Sequence, residues 1–163
     1  RGGEINDQSL IARHIGDLQI GVYVAPSYVE RLGAPAHPRE LENTDHRIVG
    51  FLSSRTGKVD PLVLHGESEH IEIRGSYVLA VDDGNAYLEA GLAGLGVIAL
   101  PVYMAAAHQA CGSLIPLFED WRINPMPLSL AFPPNRHVNA KLRVFIDWIV
   151  EVMQQHVPTS TNK

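Results

Sequence analysis

Cysteine is all but missing from this 163-residue chain, where Cys111 stands alone. An internal disulfide framework is thereby excluded, and the composition suits a reducing cytoplasm. A cysteine of this kind reads as a small buried apolar residue rather than a redox switch. Long hydrophobic runs are also lacking. No stretch approaches the roughly 20 apolar residues needed to span a bilayer, and no signal-peptide pattern is read, so no membrane partner is expected. Basic residues are few: 13 Lys and Arg stand against 18 Asp and Glu, for a net charge of −5. Phosphate contact calls for clustered Lys and Arg, so this segment is a poor nucleic-acid binder by itself.

Catalytic motifs are equally scarce. There is no GxSxG elbow, no phosphate loop and no HExxH, so no catalytic residue is assigned. The eight histidines are scattered, and the closest pair, His65 and His70, flanks a turn. A metal held there would need further ligands that the spacing does not offer, so both read as surface or turn histidines. Gly91, Gly94 and Gly96 sit at the back of a helix, whereas a dinucleotide fingerprint lies between a strand and a helix N-terminus. Glu67, Glu69 and Glu72 read as a solvated edge rather than an acid–base pair. Neither a cofactor nor a metal is expected.

What is present is a packed composition, 45% hydrophobic and 19% charged, long enough for one ordinary domain or two small lobes. The chain is organised around residues 82–101, DDGNAYLEAGLAGLGVIALP. Asp82 and Asp83 suit a helix start, both as hydrogen-bond acceptors and by charge. Ala86, Leu88, Ala90, Leu92, Ala93 and Leu95 make a mostly small apolar set that can lie close against a sheet. Gly94 and Gly96 fall where a left-handed C-terminal turn wants glycine. Val97 to Leu100, ended by Pro101, reads as a strand covered on both faces. Helix, glycine and buried strand at this spacing predict a parallel α/β arrangement.

Earlier in the chain, strands are predicted over Ser9–Ile15 and Leu18–Ala25, then a short helix over Pro26–Gly33 with proline in its first turn. A second short helix is expected over Pro38–Glu42 and a strand over Arg47–Leu52, followed by a polar turn. Leu62–Leu64 and His70–Arg74 read as antiparallel strands, and Tyr77–Val81 leads into the central helix. Beyond Pro101 the reading gives a helix over Val102–Ala110 and strands over Leu114–Leu117 and Pro127–Phe132. A last helix over Ala140–Gln155 is capped by Asn139. Val138, Leu142, Phe145, Ile149 and Met153 form its apolar stripe. Residues 157–163 read as a frayed, disordered tail.

These landmarks together resemble the C-terminal effector-binding domain of LysR-type transcriptional regulators. In order they are Arg1-Gly2-Gly3, Leu10 to Leu18, Ala25-Pro26-Ser27-Tyr28, Gly33-Ala34-Pro35, His37-Pro38 and Leu41. Then come Ser54-Arg55-Thr56-Gly57, the 82–101 core, Leu114-Ile115-Pro116, Asp120-Trp121, Phe132-Pro133, Arg136-His137 and the helix from Lys141 to Asp147. The resemblance covers residues 1–156. It implies an α/β, periplasmic-binding-protein-like (type 2) two-lobe fold with a ligand cleft. Residues 22–117 would form a complete regulatory lobe II, and 1–21 with 118–156 a partial lobe I. The winged helix-turn-helix, linker helix and first lobe elements of a complete regulator have no counterpart here. The expectation is therefore a piece of a longer, cytoplasmic regulator.

In open α/β sheets ligands bind beyond the carboxyl ends of strands, near helix N-termini. Ser53 and Ser54 follow one predicted strand, and Asp83, Gly84 and Asn85 follow another. The resemblance adds Gly2 and Gly3 from the other lobe. Two carboxylates at the helix start would repel an anion unless Arg55, Lys58 or Arg1 compensated. A neutral or cationic effector is expected, or a carboxylate held mainly by the serine side. The resemblance further implies a small-molecule effector, DNA contact only through an absent N-terminal domain, and a homodimer or tetramer. The apolar face of the 140–155 helix is one candidate contact. The alternative is a stand-alone periplasmic-type solute-binding protein; a small α/β enzyme lacks any nucleophile–base arrangement.

Overall fold

A computed structural model describes residues 10–43, 45–54, 56–133 and 140–156. The predicted cap Asn139, Val138 and the tail 157–163 lie outside them. The chain divides into two compact units: Ile20–Asn124, and residues 1–19 with 125–163. No described helix is long and apolar enough to cross a bilayer.

The Ile20–Asn124 unit is built on a mixed sheet. Strand β2 (Ile20–Val24) pairs antiparallel with β7 (Ile98–Pro101) on one side and β8 (Ile115–Leu117) on the other. Strand β3 (Ile48–Phe51) pairs parallel with β6 (Tyr77–Val81), register Phe51↔Val81. A parallel bridge, Ile48↔Val97, joins β3 to the start of β7. The expected parallel arrangement therefore holds at β3, but β7 runs antiparallel to β2. Nothing in an apolar run such as Val97–Leu100 specifies its neighbour's direction.

Helices close the unit. Pro26 opens α1 (Pro26–Leu32), where its fixed φ suits the first helical position and its missing N–H is no loss. A short 3-10 helix covers Pro38–Glu42. Helix α2 (Gly84–Leu92) lies against β3 and β7, and α3 (Val102–Ala110) follows β7 directly. The end of α2 explains the glycines there. Gly94 has φ +69°, its N–H donates to Gly91 O at 2.9 Å, and Leu95 N–H donates to Ala90 O at 3.1 Å. That pair of bonds around a left-handed residue is the Schellman stop.

Gly96 does something else. Its φ is not left-handed. A Cβ there would stand 2.9 Å from Arg47 O and 3.0 Å from both Ile48 C and Val49 N. Gly96 is needed so that the chain can pass the backbone of β3 closely enough for Val97 N–H to reach Arg47 O at 2.9 Å. Leu95, expected on the apolar face of the helix, lies beyond its end and is 44% exposed.

Two apolar clusters fill the unit. One gathers Val24, Tyr28, Leu41, Leu64, Ile73 and Val97. The other gathers Tyr23, Val49, Tyr87, Ile98, Leu100 and Leu114 beneath α2. A hairpin of β4 (Leu62–His65) and β5 (His70–Ile73) is held by the 3-10 helix. Glu69 at its turn accepts bonds from Arg39 at 2.9 Å and His37 at 3.2 Å.

In the other unit, β1 (Ile11–Leu18) pairs antiparallel with β9 (Met126–Phe132), with a register break between His14 and Gly16. The first strand runs past the predicted end at Ile15, because β9 offers a partner as far as Met126. Helix α4 (Ala140–His156) packs on β1, and Arg13 pairs with Asp147 at 3.1 Å. The buried face is turned by one residue from the predicted stripe. Ile146 is 4% exposed, whereas Phe145 is 49% exposed, with Val144 and Trp148 also in solvent. Ile149 and Met153 are half-buried as expected. The side chain of Leu142 lies outside the description.

Candidate functional site

The carboxyl ends of β3 and β6 lie side by side because the two strands are parallel and in register. Leu52 N–H donates to Val81 O at 2.7 Å, extending the ladder one step past Phe51. Ser53 and Asp83 thus each follow the paired residues Phe51 and Val81 by two positions. The loop after β3 is tight: Ser53 N–H donates to Lys58 O at 2.9 Å, Gly57 N–H to Ser53 O at 2.8 Å, and Lys58 N–H to Thr56 Oγ1 at 3.2 Å. Gly57 turns the chain at φ +65°. Leu52 and Val59 then bridge antiparallel. Ser53 is half-buried, Ser54 is exposed, and the Ser53 hydroxyl carries no hydrogen bond among the described residues.

Past β6, Asp83 is the N-cap of α2. Its Oδ1 accepts from Asn85 N–H at 3.0 Å and Ala86 N–H at 2.9 Å, and its main-chain O accepts from Tyr87 N–H at 2.9 Å. Its side chain therefore satisfies two first-turn amides that would otherwise be free, and its carbonyl accepts the first regular bond of the helix. Gly84 stands at the first helical position in open surroundings. Tyr87 anchors the helix from below. Its hydroxyl accepts the Ala99 N–H at 3.0 Å, Phe51 meets its ring edge-on at 5.4 Å, and burial pushes its pKa up to about 12.

The structure thus brings Ser53, Ser54, Asp83, Gly84 and Asn85 to one end of one parallel strand pair. Gly2 and Gly3 lie outside the described residues. Three cavities in the Ile20–Asn124 unit, of about 150, 990 and 270 Å³, are lined by other residues. The smallest runs along β3, between Val59, Pro61, Tyr77 and Tyr87.

Other expectations fare differently. Cys111 is exposed, not buried. It stands just past α3 in a turn closed by Gly112, where its thiol meets Ser113 Oγ at 3.2 Å and donates to His108 O at 3.4 Å. The Ser113 hydrogen bond lowers its pKa. His65 and His70 face each other directly across the hairpin, ring centroids 4.9 Å apart. Among the described residues no group of three His, Cys, Asp or Glu is placed to hold a metal. Sequence reasoning missed the role of Glu69, which ties the hairpin to the 3-10 helix and whose pKa is lowered chiefly by Arg39. The capping of α2 by Asp83 is as the sequence led one to expect.

The mixed α/β architecture is that of the periplasmic-binding-protein-like type 2 fold. The chain belongs to the LysR substrate binding domain family, which it matches over residues 1–154. It is similar to a helix-turn-helix-type transcriptional repressor of Pseudomonas aeruginosa, 26% identical over 156 residues, covering 96% of this chain and 49% of the relative. The regulator YhjC of Escherichia coli is 31% identical over 159 residues, covering 96% of this chain and 52% of the relative. The chain therefore spans about half the length of these relatives. Among solved structures, the regulatory domain of CrgA, a LysR-type regulator from Neisseria meningitidis, superposes with TM-score 0.76 at 27% identity. That match covers 94% of this chain and 73% of the other. The regulatory domain of AphB from Vibrio vulnificus gives TM-score 0.71 at 27% identity, covering 93% and 73%. The solute-binding alternative draws no support from these relatives, which are transcriptional regulators.

Proposed function

We propose that this chain is the effector-sensing part of a LysR-type transcriptional regulator. It binds a small molecule at the rim formed by Ser53, Ser54, Asp83, Gly84 and Asn85. DNA is contacted through a helix-turn-helix outside this sequence, and the regulator acts in the cytoplasm as a homodimer or tetramer. The Ile20–Asn124 unit corresponds in this reading to regulatory lobe II, and the other unit to part of lobe I. Binding works by favouring one arrangement of the regulator over another, which requires that the effector bind the two states unequally.

The function rests on the family match over residues 1–154; the assignment of the rim rests on the Phe51↔Val81 register. The absence of a catalytic motif in the sequence supports a sensor rather than an enzyme. Thermal-shift screening of the chain against small acids, amines and neutral aromatics tests the proposal. A compound at 100 times its dissociation constant adds about 2.7 kcal/mol to stability. The expected result is stabilisation by a hit that is lost in a Ser53→Ala/Ser54→Ala/Asp83→Asn variant. A hit unaffected by these changes would contradict the rim assignment, and turnover of any compound would contradict the sensor role.

A further inference from the structure

We infer that the hollow of about 150 Å³ along β3 is a binding site for a small uncharged aromatic molecule bearing a hydroxyl, of the size and polarity of phenol. The inference goes beyond the rim of Ser53 and Asp83 and does not rest on it, since none of the rim residues lines the hollow.

The hollow exists because two strands part. Strands β3 and β7 begin as a parallel pair: Val97 N–H donates to Arg47 O at 2.9 Å, and Val49 N–H donates to Val97 O at 3.0 Å. The next bond of a parallel ladder would run from Ala99 N–H to Val49 O. Instead Ala99 N–H donates to the Tyr87 hydroxyl at 3.0 Å, and the pairing stops at the Ile48↔Val97 bridge. The Val49 carbonyl and the Phe51 N–H, which a continued ladder would have used, are left on the strand edge that faces the gap. On the far side, Val59 and Tyr77 close against Gly50, where a Cβ would stand 2.8 Å from Val59 Cγ2 and 3.1 Å from Tyr77 Cδ1.

Size and chemistry name the occupant. An apolar cavity of this volume admits one benzene ring. Ile48, Val97 and Ile98 are buried in its lining, and Phe51 and Tyr87 already meet edge-on at 5.4 Å, a contact that a further ring can extend. Asp60 is the charged residue of the lining, so a carboxylate would meet repulsion and no cation. Tyr87 supplies the polar contact. It is 6% exposed, its oxygen accepts from Ala99, and its own O–H proton has no acceptor among the described residues. A ligand hydroxyl can accept that proton and offer its own to the Val49 carbonyl.

Phenol and toluene share a shape and differ in the hydroxyl, while benzoate adds a charge. Each is titrated into the 163-residue chain while the amide resonances of Gly50 and Ala99 are followed by NMR. In the wild type, phenol moves these resonances saturably, with a dissociation constant at least tenfold below that of benzoate. Ala99→Leu, which adds bulk to the lining, raises the phenol constant at least tenfold. Tyr87→Phe keeps the ring but removes the O–H, raising the phenol constant at least fivefold and changing that of toluene less than twofold. This second comparison decides by itself if Ala99→Leu does not fold. No saturable shift with phenol, shifts centred on other resonances, or phenol binding undiminished in a folded Ala99→Leu overturns the site. Benzoate binding as tightly as phenol, or phenol and toluene responding alike to Tyr87→Phe, overturns the ligand class and the inference with it.

Discussion

Gly94 and Gly96 stand two residues apart and are glycine for unrelated reasons, one conformational and one steric. At Gly94 an added methyl meets the left-handed backbone, a cost of about 1–2 kcal/mol, and would lie 2.5 Å from Ser27 Oγ. At Gly96 it meets the backbone of β3, which cannot rotate aside, and overpacking of this kind costs roughly 1–3 kcal/mol. Gly84 has neither constraint, since its nearest outside neighbour is Met104 Cε at 3.9 Å. Urea denaturation should therefore show Gly94→Ala and Gly96→Ala destabilised and Gly84→Ala stabilised by about 0.5–1 kcal/mol. Destabilisation at Gly84 would contradict the helix start described above. Tyr87 offers a second residue-scale test. Its folded pKa, about 12, lies above the unfolded value of 10, so the unfolded chain releases its proton first as pH rises. The stability it supplies is full below pH 10 and falls between pH 10 and 12, by roughly 2–3 kcal/mol over the window. Tyr87→Phe should flatten that part of the stability–pH curve, while costing about 1 kcal/mol at neutral pH for the orphaned Ala99 N–H. An unchanged alkaline slope would contradict its burial.

At the scale of elements, the sequence was most readable where proline and glycine punctuate it. Pro26 and Gly33 bound α1, Pro38 opens the 3-10 helix, and Gly94 and Gly112 end α2 and α3. The hairpin of β4 and β5 and the polar turn after β3 were visible for the same reason. Relations between distant segments were not readable. That β7 runs antiparallel to β2 depends on a strand some 75 residues away, which local pattern does not encode. The facing side of α4 was misplaced because Val144, Phe145, Ile146, Ile149 and Val150 are all apolar. Several stripes fit such a helix equally well, and only packing on β1 chooses Ile146. The site was half legible: polar residues after two strands could be read, but the parallel register that puts them together could not. The consequence of the α4 arrangement is an apolar strip, with Phe145 and Trp148 rings 6.0 Å apart and both about half exposed. If that strip joins subunits, Phe145→Ser/Trp148→Ser should shift the chain toward monomer in sedimentation velocity without lowering its melting temperature as a monomer. Unchanged association would remove α4 from the interface.

For the molecule as a whole, the two compact units differ in how much of their strength is internal. The Ile20–Asn124 unit holds the two apolar clusters, including Tyr28, Leu41, Leu64, Ile98 and Leu100, all buried. Among the described residues the other unit rests on one two-stranded pairing and one helix. Sensing in the family to which the chain belongs is here assigned to the first unit, at the strand ends that α2 and the β3 loop frame. Amide hydrogen exchange, with and without a compound that raises the melting temperature, tests that assignment most directly. The account predicts new protection concentrated at residues 52–58 and 82–87. Protection centred on the His65–His70 hairpin, with those two segments exchanging as before, would contradict it.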